Sequence, residues 1–144
     1  MSKNTKLAKT KLLLDISYDY FTIAICSHAR DYQLCWNLNK SLDFDFVKNS
    51  NLLVIEKEEE YSFPMYSYFD EENEITYYIV ANKSEGNVLV KKQKQVDYFL
   101  ILEGAYDFVN IEEIVRKIQN CKQVLLAFEC CNDDLNVIEN LLFN

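Results

Sequence analysis

Glycine and proline are nearly missing from this chain, with two and one in 144 residues. The scarcity leaves few flexible linkers and little room for glycine-dependent turns. Gly86 and Gly104 are isolated, so a glycine-rich phosphate loop is excluded. One histidine and five scattered cysteines lack the local spacings of a zinc site, so no metal and no cofactor is expected. An odd, irregular cysteine set is also no disulfide framework, and it suits a reducing compartment. No apolar run approaches the roughly 18 residues of a membrane span. The lysines at 3, 6, 9 and 11 precede only Leu12–Leu14, too short for a signal peptide. Cytoplasmic residence without membrane contact is the resulting expectation. Basic residues are few as well: Lys91, Lys92 and Lys94 form the one cluster outside the opening, which argues against nucleic-acid binding.

What is present is aromatic and acidic. Aromatics make up 14% of the chain, mostly Tyr and Phe, and favour strands. The net charge is -8, and residues 56–74 hold eight acids against the single base Lys57. Such local acidity reads first as a solvated edge, and second as a surface for a basic partner. The length fits one domain with an adequate core.

Residues 1–10 read as a flexible basic arm, and 11–144 as a single α+β domain. Short strands are predicted at Lys11–Asp15 and at Tyr20–Cys26. A helix starting at Ser27 or His28 follows, with the apolar stripe Leu34, Cys35, Leu38, Leu42. Strands are expected at Asn51–Glu56, in a hairpin of Tyr61–Phe69 with Ile75–Ala81, and at Asn87–Val90. Pro64 puts its arm at an edge or a bulge. Val96–Glu103 reads as a strand buried on both faces. Asn110 caps a helix over Ile111–Gln119, with Ile111, Ile114, Val115 and Ile118 inward. A strand at Gln123–Glu129 and a last helix through Leu135, Ile138, Leu141 and Leu142 complete the chain. The expected fold is a mostly antiparallel sheet with about three helices on one face. The order strand 96–103, helix 111–119, strand 123–129 suggests a βαβ-like unit, parallel if those strands pair.

Few side chains carry chemistry. Cys26 and His28 could share a face as a thiolate–imidazole pair, although a buried thiol beside a helix-start imidazole is the plainer reading. Cys130-Cys131 would strain as a disulfide and points its thiols to opposite faces. Asp97, beside an apolar run, needs a partner or a wet position. One reading makes Asp97 fix the strand start and leaves Tyr98 in the core. The other makes Asp97 and Tyr98, with the hairpin residues Tyr66, Tyr68, Tyr77 and Tyr78, the rim of a recognition surface, since tyrosine-rich patches suit protein contacts.

Several segments together resemble the IPExxxVDY family of small bacterial proteins of unknown function. They are Lys11–Asp15, Asp31-Tyr32-Gln33-Leu34 leading to Leu38-Asn39-Lys40, Tyr66, Tyr68, Asp70 and Asn73, Tyr77-Tyr78-Ile79 with Asn82-Lys83-Ser84, Val96-Asp97-Tyr98 and Leu100–Gly104. The positions for Ile-Pro-Glu read Val90-Lys91-Lys92, so both the proline and the acid are lost. The resemblance implies no substrate, cofactor or catalytic residue. The expected function is therefore non-enzymatic, contact with another protein, with homodimerisation left open. A small-molecule binder or enzyme with Asp97 in a tyrosine-lined pocket is the alternative.

Overall fold

A computed structural model describes residues 20–130. The predicted basic arm, the strand at Lys11–Asp15, the last helix and Cys131 lie outside the described residues. The strands are β1 (Tyr20–Ser27), β2 (Val47–Lys48), β3 (Leu52–Glu56), β4 (Glu59–Phe63), β5 (Met65–Asp70), β6 (Ile75–Ala81), β7 (Lys83–Ser84), β8 (Asn87–Val88), β9 (Tyr98–Glu103) and β10 (Val124–Glu129). Two α-helices stand among the described residues, α1 (Asp31–Leu42) and α2 (Ile111–Gln119), against about three expected, the last of which falls outside them. The main sheet has the order β10-β1-β9-β6-β5-β2, with every neighbouring pair antiparallel.

The expected pairing of the last two strands is not found. β1 lies between β9 and β10 and runs antiparallel to both. The βαβ unit is thus split, and its two strands are parallel without touching. The cause is the apolar character of β1 on both faces. Ile23 and Ile25 face the helices, Ala24 faces away, and all three are buried. A strand of that kind is stable only with neighbours on both edges.

Both helices cover one face. α1 buries Leu34, Cys35, Leu38 and Leu42, the predicted stripe, and α2 buries Ile114 and Ile118. Each such side chain contributes about 1.5–3 kcal/mol when fully buried. α1 begins later than predicted because β1 continues through Ser27, whose hydroxyl accepts from Ala29 N–H and donates to the Gln123 carbonyl. Gln33 then closes the first turn of α1 by accepting from Arg30 N–H at 3.0 Å. Asn110 caps α2 by accepting from Glu113 N–H. At the far end of α2, Gln119 donates to the Leu125 carbonyl and accepts from Ala127 N–H, covering the outer edge of β10.

Pro64 divides the predicted arm Tyr61–Phe69 in two. β4 pairs with β3 in a separate hairpin, while β5 joins the main sheet. Proline has no N–H to extend the ladder, but its carbonyl accepts from Ala81 N–H at 2.9 Å. The β3–β4 hairpin and the 82–97 segment cover the second face, around Leu52, Phe63, Leu89, Val90, Val96 and Phe99. The acids of residues 56–74 are separated by this path. The β3–β4 tip and the β5–β6 turn lie at the two ends of roughly 30 Å of chain.

Turns form despite the lack of glycine. Asp43, Lys57, Glu58, Glu74, Glu85 and Gln123 all adopt positive φ. Each such residue costs about 1 kcal/mol relative to glycine. Gly104 does need to be glycine: φ is 134°, and a Cβ there would stand 2.8 Å from the Glu74 carbonyl oxygen. Among the described residues, no helix is long and apolar enough to cross a membrane.

Candidate functional site

Strand β6 joins two polar regions of opposite character. At its Ala81 end, the backbone leaves the sheet at Asn82 and returns at Asp97. Asn82 is fully buried and fully engaged. Its side-chain oxygen accepts from Val90 N–H at 2.7 Å, and its amide donates to the Gln93 and Val96 carbonyls. Its own N–H donates to the Asp97 carbonyl, and its carbonyl accepts from Leu89 N–H. Asp97 completes the closure. One carboxylate oxygen accepts from Ser27 N–H at 2.8 Å, and the other meets Lys83 Nζ at 2.9 Å. Asn82-Lys83 and Val96-Asp97 therefore meet in space, as a clasp on this excursion, and Val90 is buried under it.

The neighbouring phenols are also satisfied. Tyr98 is buried and donates to the Ala29 carbonyl at 2.6 Å. Tyr66 is buried and donates to Asp31 in the first turn of α1 at 2.9 Å. Burial is the main cause that pushes both phenols well above their ordinary value, with Asp31 adding to each. The geometry thus gives Asp97 the strand-start role and Tyr98 a core role. The polar atoms of both hold internal partners, with Asp97 part-exposed beside Lys83 and Tyr98 buried.

The tyrosines divide further by strand alternation. Tyr66, Tyr68, Tyr77 and Tyr98 face the helices, while Tyr78 faces the other layer and donates to Glu103 at 3.2 Å. Burial, then Glu103, lifts the Tyr78 phenol to about 12.

At the Ile75 end of β6 the polar groups crowd together instead. Phe44, in the α1–β2 loop, packs on Tyr68 and Tyr77 with ring centroids 4.7 and 4.5 Å away. Phe46 meets Tyr68 edge-on at 6.1 Å. Four carboxylates act on its Tyr68 phenol. Burial first, then Asp70, Asp43, Asp45 and Glu72, raises the Tyr68 phenol. Two of these acids come from one loop and two from another, far apart in sequence. Sequence reading missed Phe44, Asp43 and Asp45; the one available signal was the alternation Asp43-Phe44-Asp45-Phe46. Beside the cluster opens a pocket of about 220 Å3, lined by Phe44, Asp70, Tyr77, Phe108 and Glu113 among others. Phe108 is 88% exposed at its rim.

Other candidates are weaker. Cys26 contacts the Gln95 carbonyl, and no hydrogen bond joins it to the exposed His28. Burial and Asp97 push its thiol up, the wrong direction for a nucleophile. Among the described residues no three His, Cys, Asp or Glu side chains converge as metal ligands. Tyr32 and Trp36 line a shallow groove of about 610 Å3 on the outside of α1, where Lys40 lies 3.5 Å over the Trp36 ring. A third depression, of about 90 Å3, lies between β4 and β8. Asp97 lines none of these three openings. No protein-family model and no curated protein matches the chain.

Proposed function

We propose that this is a non-enzymatic interaction protein that binds a basic segment of another protein at the Ile75 end of the sheet. The observation that carries the reading is the packing of Phe44 on Tyr68 and Tyr77, in a cluster whose Tyr68 phenol is raised by burial and then by Asp70, Asp43, Asp45 and Glu72. Asp70 serves the β5–β6 turn, whereas Asp43, Asp45 and Glu72 are exposed and their like charges repel one another. A basic partner would relieve that repulsion and gain aromatic contact. Strand β2 is only two residues long and offers a second copy of the chain little backbone to pair with. A different protein therefore fits better than a homodimer.

The same proposal treats the chain as a divergent IPExxxVDY relative, with the clasp around Asn82 and Asp97 as what the shared segments maintain. The proposal also takes the protein to be cytoplasmic, a compartment that suits the free thiols of Cys26, Cys35 and Cys121.

The test compares the natural chain with an Asp43→Asn/Asp45→Asn/Glu72→Gln variant as bait in cytoplasmic extract. All three side chains are exposed, so the variant keeps its fold. A basic protein held stoichiometrically by the natural chain, released by salt and lost from the variant is the expected result. Equal retention by both baits would overturn the assignment of this surface.

A further inference from the structure

We propose that the 220 Å3 pocket beside Phe44 and Tyr77 receives the ammonium end of a lysine side chain. This inference rests on the basic-partner reading above and names the group that the partner inserts.

Tyr77 carries the argument. The residue is 2% exposed and lines the pocket. Among the described residues its hydroxyl makes no hydrogen bond, whereas Tyr66, Tyr78 and Tyr98 each have one. A buried hydroxyl without a partner is costly and uncommon in a folded chain. A ligand atom in the pocket would supply the missing bond.

Charge decides the kind of ligand. Asp70 and Glu113 line the pocket against Lys117 alone, and Lys117 is held 3.6 Å from Glu113. Asp70 is also the carboxylate that acts on the Tyr77 phenol, after burial. An anion is repelled there. A cation gains the carboxylates and the Tyr77 oxygen as acceptor. Leu42, Val109 and Ile114 complete an apolar wall for a methylene stem.

The acceptors favour ammonium over guanidinium. Asp70 is already used on both oxygens: one accepts from Glu72 and Asn73 N–H, the other from the Asn73 side-chain amide at 2.8 Å. It cannot offer the free, paired edge that an arginine fork requires. An ammonium has three rotatable donors and can use separate, single acceptors.

The experiment titrates the full chain with Nα-acetyl-lysine methylamide and follows backbone amides by NMR. Its arginine counterpart, the neutral Nε-acetylated derivative and spermidine are run in parallel. Saturable shifts confined to residues 43–46, 70–77 and 108–114 are expected with the lysine derivative, and none with the neutral one. Tyr77→Phe, whose spectrum reports its own folding, should weaken binding about tenfold. Equal shifts from the neutral derivative, no localised shift at saturation, or stronger binding of arginine or spermidine would each overturn the assignment. A basic protein retained through Asp43, Asp45 and Glu72, with these amides unmoved by lysine, would sink the pocket and leave the interaction reading standing. Lysine binding here with no such protein retained would do the reverse.

Discussion

The two ends of strand β6 contain similar residues, and their polar atoms are treated in opposite ways. At the Ala81 end, the polar atoms of Asn82, Asp97, Tyr66 and Tyr98 find partners within the chain. At the Ile75 end, four carboxylates raise the Tyr68 phenol and, among the described residues, the buried hydroxyl of Tyr77 has no hydrogen bond. The first arrangement stabilises the fold. The second costs stability and is compatible with a surface kept for something outside the fold. Residue type alone does not separate the two ends; hydrogen-bond accounting does.

Alkali is the harshest test, because it attacks phenols at both ends. Folding raises the Tyr77 and Tyr78 phenols from 10.0 to about 12, and shifts Tyr66 and Tyr98 in the same direction. A raised phenol stabilises the fold in its protonated form. That stability is complete below pH 10 and is lost as the pH climbs through 12. Cooperative unfolding in that window, seen together by circular dichroism and phenolate absorbance, is expected. Phenolate appearing with the fold intact would show that the burial is weaker than the packing implies.

Asn82→Ala is expected to be the most damaging single substitution. It strips partners from Val90 N–H and from the Gln93 and Val96 carbonyls, at about 3 kcal/mol or more in denaturant unfolding. A loss under about 1 kcal/mol would mean that the clasp is not what holds residues 82–97. Asp97→Ala comes next, at about 1–3 kcal/mol, through the lost acceptor for Ser27 N–H. Lys83→Met should cost less than about 1 kcal/mol, since Lys83 is exposed and its ion pair is screened. If the two cost the same, the ion pair rather than the backbone bond holds the strand start.

The finest comparison removes one oxygen at each end. Tyr98→Phe loses a 2.6 Å bond to the Ala29 carbonyl and should cost about 1 kcal/mol. Tyr77→Phe loses no bond within the described residues and should be neutral or stabilising by up to about 1 kcal/mol. A destabilised Tyr77→Phe would erase the difference between the ends.

Much of the fold was legible locally. The helix over Ile111–Gln119 has the predicted bounds, and α1 buries the four residues its spacing selects. Strand β9 is buried on both faces, as its continuous apolar run implies. These features depend on periodicity and capping, which neighbouring residues encode. Long-range pairing was not legible. Nothing near Tyr20–Ser27 says that it inserts between β9 and β10. Nothing near Phe44 says that it will stack on Tyr68. For the same reason Asp97 and Tyr98 drew attention as a site, while the partners that occupy them, Ser27 N–H and the Ala29 carbonyl, lie about seventy residues earlier.

The central place of β1 also has a consequence for how the molecule is made. During synthesis β1 leaves the ribosome ahead of every other strand described here, yet both of its neighbours, β9 and β10, are translated last. For most of translation its Phe21–Ile25 run has no sheet to join. The hairpins of β3 to β6 can close as they emerge, but the centre of the sheet cannot. Assembly of the sheet therefore ends with an early segment entering a gap that late segments define, and the long loop between β1 and β9 must close before the centre of the sheet can form.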